Sequence, residues 1–214
     1  SVQDLQLRAA NPGAPLQLDF RASADNVLSL EVNGNRPAWR YENEHIVIPQ
    51  DVLQEGSNLI NIEFVAGDTS LNRNPDYLYT LFVPDRARTA FPLFDQPDLK
   101  ATFELSLTVP VDWSAISNAA VASVETDGDQ RHIRFHNSDR LSSYLFSFVA
   151  GRFETVTAVR DGREMTMLHR ETDAEKVTRN VDEIFDLHAA ALRGLEDDTG
   201  IDYPWQKFGF ALIP

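Results

Sequence analysis

Apolar and polar residues alternate along most of this chain. Leu16, Leu18 and Phe20 take every second position, as do Leu28, Leu30 and Val32, which run into the turn sequence Asn33-Gly34-Asn35. Trp39 and Tyr41, then Ile46 and Ile48, continue the series, followed by Ile60, Ile62 and Phe64, and by Tyr77, Tyr79, Leu81 and Val83. Phe103, Leu105, Leu107 and Val109 alternate with Thr102, Glu104, Ser106 and Thr108. Beyond them come "VASVE", a "DGDQ" turn, "HIRF", "YLFSFVAG", "RFETVTAV", a second Asp-Gly turn and "EMTMLH". Period two over many short segments predicts strands with one buried face each. Residues 1–169 therefore read as an antiparallel β saddle or sandwich.

The period changes near residue 171. Thr172 and Glu175 have the spacing of a capping box. Val177, Val181, Ile184, Leu187, Ala191, Leu192 and Leu195 then recur every three or four residues, predicting a helix over about 172–198 with one apolar stripe and Gly200 as its stop. Glu196, Asp197 and Asp198 fall in its last turn, where the helix dipole disfavours anions, so that end is expected to fray. The run "YPWQKFGFALIP" predicts one more strand, over about 205–213. A capped helix leading into a strand reads as the beginning of a second domain, over 170–214 and truncated.

Composition narrows the function classes. The chain has 214 residues, 43% of them hydrophobic, enough for a substantial core. No apolar run is long enough to span a membrane. Residue 1 is serine with no basic-then-apolar leader behind it, pointing to a mature or trimmed chain. The net charge of −14 argues against nucleic acid and anionic membrane surfaces as partners. Ten carboxylates against three cations in residues 171–202 supply half of that excess, as expected of a solvated helix face. The lack of cysteine removes disulfides and thiolate metal sites.

Candidate chemistry is sparse. His132 and His136 are four apart, a zinc-ligand spacing on a helix. In a strand the same spacing puts them roughly 13 Å apart on one face, too far for one ion. His188 reads as a boundary residue of the helix, and His45 and His169 stand alone. There is no His-Glu-x-x-His, no Gly-x-Ser-x-Gly and no phosphate-cradling glycine loop. The residues themselves therefore nominate no catalytic group and no metal ligand in this chain.

One stretch remains, "DRARTAFPLFDQPDLKATFELSLTVP". Its first half is a stiff, apolar, acid-flanked loop in front of a regular strand. Ala87, Arg88, Phe91, Pro92, Phe94, Asp95, Pro97, Lys100, Ala101 and Phe103 match the A-R-x-x-F-P-x-F-D-E-P-x-x-K-A-x-F pattern of the aminopeptidase N-like zinc metallopeptidases, with Gln96 at the usual Glu position. "YPWQKFGFALIP" likewise resembles the strand that precedes that family's G-[GA]-M-E-N motif. The resemblance implies an N-terminal β-saddle domain packed on a thermolysin-like catalytic domain of the same polypeptide. That catalytic domain would carry the zinc and the His-Glu-x-x-His, leaving this portion without zinc and inactive alone. The loop would hold the preceding strand beside the cleft, with Asp95 and Asp98 paired to Arg86 and Arg88.

The resemblance also nominates substrate-binding positions. Family members carry T-Q-x-[EQ] in the strand before the loop, where the first Gln lines the side-chain pocket and the Glu or Gln holds the peptide's α-amine. Here Thr80 matches, but Leu81 stands at the Gln position and Val83 at the Glu/Gln position. Neither side chain accepts a hydrogen bond from an ammonium group. A reading from another class stays open: a non-catalytic β-sandwich interaction module of the cell envelope, which the gene sequence past Pro214 would distinguish. Finally, Tyr203, Trp205, Phe208, Phe210 and Leu212 are expected to form an exposed C-terminal segment, either disordered or covered by a second copy in a dimer.

Overall fold

The computed structural model describes residues 1–205 and 207–213. The chain is mainly antiparallel β-sheet with one long helix and a short final strand. It divides into two compact units, the first made of Ser1–Arg73, Thr80–Ala101 and Leu141–Phe146, the second of Asn74–Tyr79, Thr102–Arg140 and the chain from Ser147 onward.

The first unit contains β1 (Val2–Ala9), β2 (Leu16–Asp19), β3 (Val27–Val32), β4 (Arg40–Glu42), β5 (His45–Ile48), β6 (Gly56–Phe64) and β7 (Leu71–Arg73). β6 lies between β1 and β3, and β5 between β2 and β4, all antiparallel. Leu18, Phe20, Leu30, Val32, Ile46, Ile48, Ile60, Ile62 and Phe64 fill one core. Two details depart from simple alternation. A bulge between Val27 and Ser29 shifts the register of β3, which buries Val27 and turns Leu28 out to solvent. The Asn33-Gly34 turn has positive φ at both residues, as a type I′ hairpin turn needs, but closes only a single bridge from Val32 to Asn35. β3 then takes β6 as its neighbour, and the strand after the turn joins the other sheet. The tight hairpin that does form joins β4 to β5 through Asn43 and Glu44, both at positive φ and without a glycine.

The second unit begins with β8 (Tyr77–Thr80), whose last residue belongs to the first unit, and continues through β9 (Ser106–Pro110), β10 (Ser114–Ser117), β11 (Val121–Asp127), β12 (Gln130–Phe135), β13 (Phe148–Gly151), β14 (Glu154–Arg160) and β15 (Arg163–His169). β12 pairs with β11 and β9, and β13 with β10 and β8. Phe103 and Leu105 precede β9 in an extended segment that keeps the same alternation of half-buried and exposed positions. Their carbonyls accept from the Ser138 and Phe135 amides. β11 is an edge strand exposed along its whole length, so "VASVE" has no buried face. His132 and His136 are both exposed, the first hydrogen-bonded through Nδ1 to Thr108 Oγ1.

α1 (Ala174–Thr199) and β16 (Phe208–Ala211) complete the second unit. The helix N-cap is Asp173, not Thr172: its carboxylate accepts from the Lys176 amide at 3.1 Å. A carboxylate gains more than a hydroxyl at the positive end of the dipole. Glu171 takes the reciprocal role, accepting from the Thr172 and Asp173 amides. At the other end Gly200 adopts φ +65° and the helix is continuous to Thr199. The buried stripe passes through Val181, Ile184, Phe185, Ala189 and Leu192. Leu187 and Leu195 are 63% and 61% exposed, and Ala191 is exposed as well. Two residues on from Phe185 is a rotation of about 200°, which points Leu187 away from the sheet.

β16 runs parallel to β15, from Met165 opposite Phe208 to Leu168 opposite Ala211. This corrects the expected exposed tail. Tyr203, Phe208 and Phe210 pack with Met165, Met167 and Phe185 in a core of their own chain. His188 stacks on Phe210 at 3.9 Å, a boundary position as expected. The Tyr203 amide donates to Glu196 at 2.8 Å, and Lys207 Nζ donates to the Ser117 carbonyl at 2.7 Å. Burial lowers the Lys207 pKa to about 8. Gln206, inside the expected final strand, lies outside the described residues.

Candidate functional site

The stiff loop of residues 86–97 folds against β2 in the first unit. Asp19 and Leu93 exchange both backbone hydrogen bonds, at 2.8 and 3.1 Å, so the loop pairs with the free edge of β2. Asp19 is only 3% exposed for that reason. Its Oδ2 accepts from the Asp95 amide at 2.8 Å and from Gln96 Nε2 at 2.9 Å, and its Oδ1 lies 3.1 Å from His45 Nε2. His45 therefore does not stand alone; it bonds Asn43 through Nδ1 and Asp19 through Nε2. Asp95 is buried too. Its Oδ1 accepts from Ser143 Oγ at 2.5 Å and its Oδ2 from the Arg88 amide at 3.1 Å.

The expected arginine pairs do not form. Arg88 directs its guanidinium to Asp85 at 2.7 Å and offers Asp95 only its backbone N–H. Arg86 and Asp98 are both at the surface. Backbone amides, a side-chain amide, a hydroxyl and the His45 imidazole thus satisfy the buried carboxylates, with no guanidinium desolvated beside them. Gln96 gains a meaning here: its amide donates to Asp19, and a glutamate would bring a second carboxylate to the same oxygen. The phenylalanines act as anchors, Phe94 on the β-sheet core and Phe91 against Phe82 and Phe146.

This scaffold ends at the rim formed by residues 80–83. Thr80 and Phe82 point inward and are buried, whereas Leu81 and Val83 are 51% and 53% exposed. The Leu81 amide donates to the Ser70 carbonyl at 3.0 Å, and the Arg86 amide to the Phe82 carbonyl at 2.8 Å. The peptide bond between Val83 and Pro84 is cis. The rim therefore presents two apolar side chains side by side and no side-chain acceptor. Those two side chains can offer a surface to an apolar group but no hydrogen bond to an ammonium.

A family model, the peptidase M1 N-terminal domain, matches residues 35–145, the span that contains this rim and the whole loop. The chain belongs to the peptidase M1 family. Among its relatives, aminopeptidase N of Streptomyces lividans is 27% identical over all of this chain, which covers 26% of that protein. Aminopeptidase N of Acetobacter pasteurianus is 36% identical over 64% of the chain and 38% of that protein. Glutamyl aminopeptidase of Rattus norvegicus is 32% identical over 61% of the chain and 14% of that protein. The chain thus spans well under half the length of these curated relatives. It is an M1 N-terminal domain with the segment that follows it.

Among the described residues no three His, Asp or Glu side chains gather where they could hold a metal ion. The zinc that the M1 family implies is therefore assigned no ligands among the described residues. Periodicity found the strands around the site but missed Asp19, which sits between Leu18 and Phe20 where an outward-facing polar residue belongs. Only the loop 74 residues further on makes it a buried one.

Proposed function

We propose that this chain is the N-terminal portion of a zinc-dependent aminopeptidase that hydrolyses peptide N-termini, and that it lines the substrate cleft with Leu81 and Val83. Residues 170–214 then begin the catalytic domain, whose remainder carries the zinc ligands, and residues 1–214 alone are inactive. The observation carrying this reading is the rim itself. Leu81 and Val83 are held outward on a segment whose backbone is tied down on both sides, and relatives of the chain are named aminopeptidases.

The rim also predicts an unusual selectivity. A peptide's α-amine is charged at neutral pH and needs acceptors around it, and Val83 supplies none. Losing one hydrogen bond to a charged group costs about 1.5–3 kcal/mol, roughly ten- to a hundredfold in kcat/KM. The full-length enzyme should discriminate weakly between free and N-acetylated peptides, and Val83→Glu should restore preference for the free amine by about that factor. Steady-state kinetics on one peptide in both forms is the measurement. Firm rejection of the acetylated form by the wild type, unchanged in Val83→Glu, would remove position 83 from the substrate site.

A further inference from the structure

Resting on the reading that Leu81 and Val83 face substrate, we infer that Phe82, which no substrate touches, is the positioning residue that sets where they point. Phe82 is 2% exposed and its ring is enclosed by two others. Phe91 meets it edge-on at 5.6 Å and 71°, Phe146 stacks on it at 6.3 Å and 18°, and Phe91 and Phe146 meet each other at 5.9 Å and 87°. From Thr80 to Val83 burial alternates residue by residue, as side chains do on the two sides of a strand. A ring locked inward at 82 therefore forces 81 and 83 outward. The short hydrogen bonds on either side, Leu81 N–H to Ser70 and Arg86 N–H to the Phe82 carbonyl, fix the position of the segment along its own axis. The ring nest resists its rolling about that axis.

The Ser70 anchor is itself buttressed. Ser70 is buried and its hydroxyl is hydrogen-bonded to Thr89 Oγ1 at 2.9 Å, while Thr89 Oγ1 donates its one proton to the Arg86 carbonyl at 2.8 Å. Gly67 sits so close that a Cβ there would fall 1.9 Å from the Thr89 carbonyl oxygen. One end of the rim is thus tied to the loop through Ser70 and the other through the aromatic nest. Phe91 belongs to the Phe-Pro-x-Phe-Asp loop, so that loop controls the rim through Phe82 rather than by touching substrate.

The test uses the full-length protein and reads two properties. Phe82→Leu keeps an apolar side chain but removes the ring. It should accelerate amide hydrogen exchange at residues 81–83, raise KM for a free-amine peptide roughly tenfold and leave kcat within about twofold. Phe146→Leu removes one wall of the nest and should do the same to a smaller degree. It also serves if Phe82→Leu fails to fold. Phe64→Leu is the control: Phe64 packs edge-on against Phe20 at 6.0 Å in the sheet core, and its loss should lower Tm without moving KM. If Leu81→Ala raises KM while Phe82→Leu and Phe146→Leu leave it unchanged, the positioning role is overturned and the rim reading stands. If none of the three moves KM although exchange at 81–83 accelerates, the rim does not meet substrate and both fall.

Discussion

The pocket under the loop of residues 86–97 and the surface of α1 handle carboxylates in opposite ways. In the first, Asp19 and Asp95 are buried among an amide side chain, two backbone N–H groups, a hydroxyl and one imidazole. In the second, the acids of α1 stay at the surface and meet arginines from the β14–β15 hairpin: Arg160 reaches Asp182 at 2.9 Å and Asp186 at 2.6 Å, and Arg163 reaches Glu196 at 3.0 Å. Arg193 pairs with Asp161 of the hairpin turn. The Glu196 carboxyl is held below its usual range by the Tyr203 amide first and Arg163 second. The chain's net charge is carried mostly by acids at the surface. The buried kind, two residues out of 33 acids, hold the loop that shapes the rim. Charge count and structural weight are therefore nearly unrelated in this chain.

The sharpest way to break that contrast is Asp95→Ala. It leaves the Ser143 hydroxyl and the Arg88 amide buried without an acceptor, and each unsatisfied donor costs about 1–3 kcal/mol. We expect a loss of about 3 kcal/mol or more in chemical denaturation, with the rim disordered alongside. A loss below about 1 kcal/mol would mean that water replaces the carboxylate and that the pocket is not closed.

Gln96→Glu is gentler. The Gln96 side chain is partly solvated, so the introduced carboxylate can turn away from Asp19, yet the 2.9 Å donor bond is lost. About 1 kcal/mol of destabilisation is expected at pH 7. The sign with pH follows from like-charge repulsion, which raises the carboxyl pKa in the folded state. Protonation then relieves the variant as pH falls toward about 4, so its deficit against wild type should shrink there. A deficit that grows on acidification would place the new carboxylate beside a cation.

The same contrast explains what the sequence discloses. Alternation places Leu30, Ile46, Ile62 and Phe64 in the core because each such decision is local, one face of one strand. Asp19 is hidden from it because its burial depends on Leu93, far along the chain. Leu28 is misassigned because a single-residue bulge inverts the pattern without leaving a mark such as glycine. On α1 the apolar residues fall on two faces, and spacing alone does not decide between Leu187 and Phe185. The sheet beneath the helix decides it. At the rim, the type of residue at 81 and 83 was legible from the loop motif that follows. That both face outward, over a buried aromatic nest, needed the fold.

The smallest expected effect probes the other half of the comparison. Arg160 makes two short ion pairs with α1 and lies 5.9 Å over the Phe185 ring, so by contact counting it should matter more than Asp95. Its partners Asp182 and Asp186 are largely exposed, however, and exposed pairs contribute a fraction of a kcal/mol because water and side-chain entropy offset the attraction. Arg160→Ala should cost under about 1 kcal/mol, part of it from lost packing of the aliphatic stem. About 1 M salt shortens the screening length to about 3 Å, so the ionic part should fade there and the packing part remain. Urea titrations of both proteins at low and high salt separate the two. A salt-insensitive loss as large as that of Asp95→Ala would show that the hairpin and helix depend on this arginine as a buried tie, and the distinction between the two kinds of carboxylate would fail.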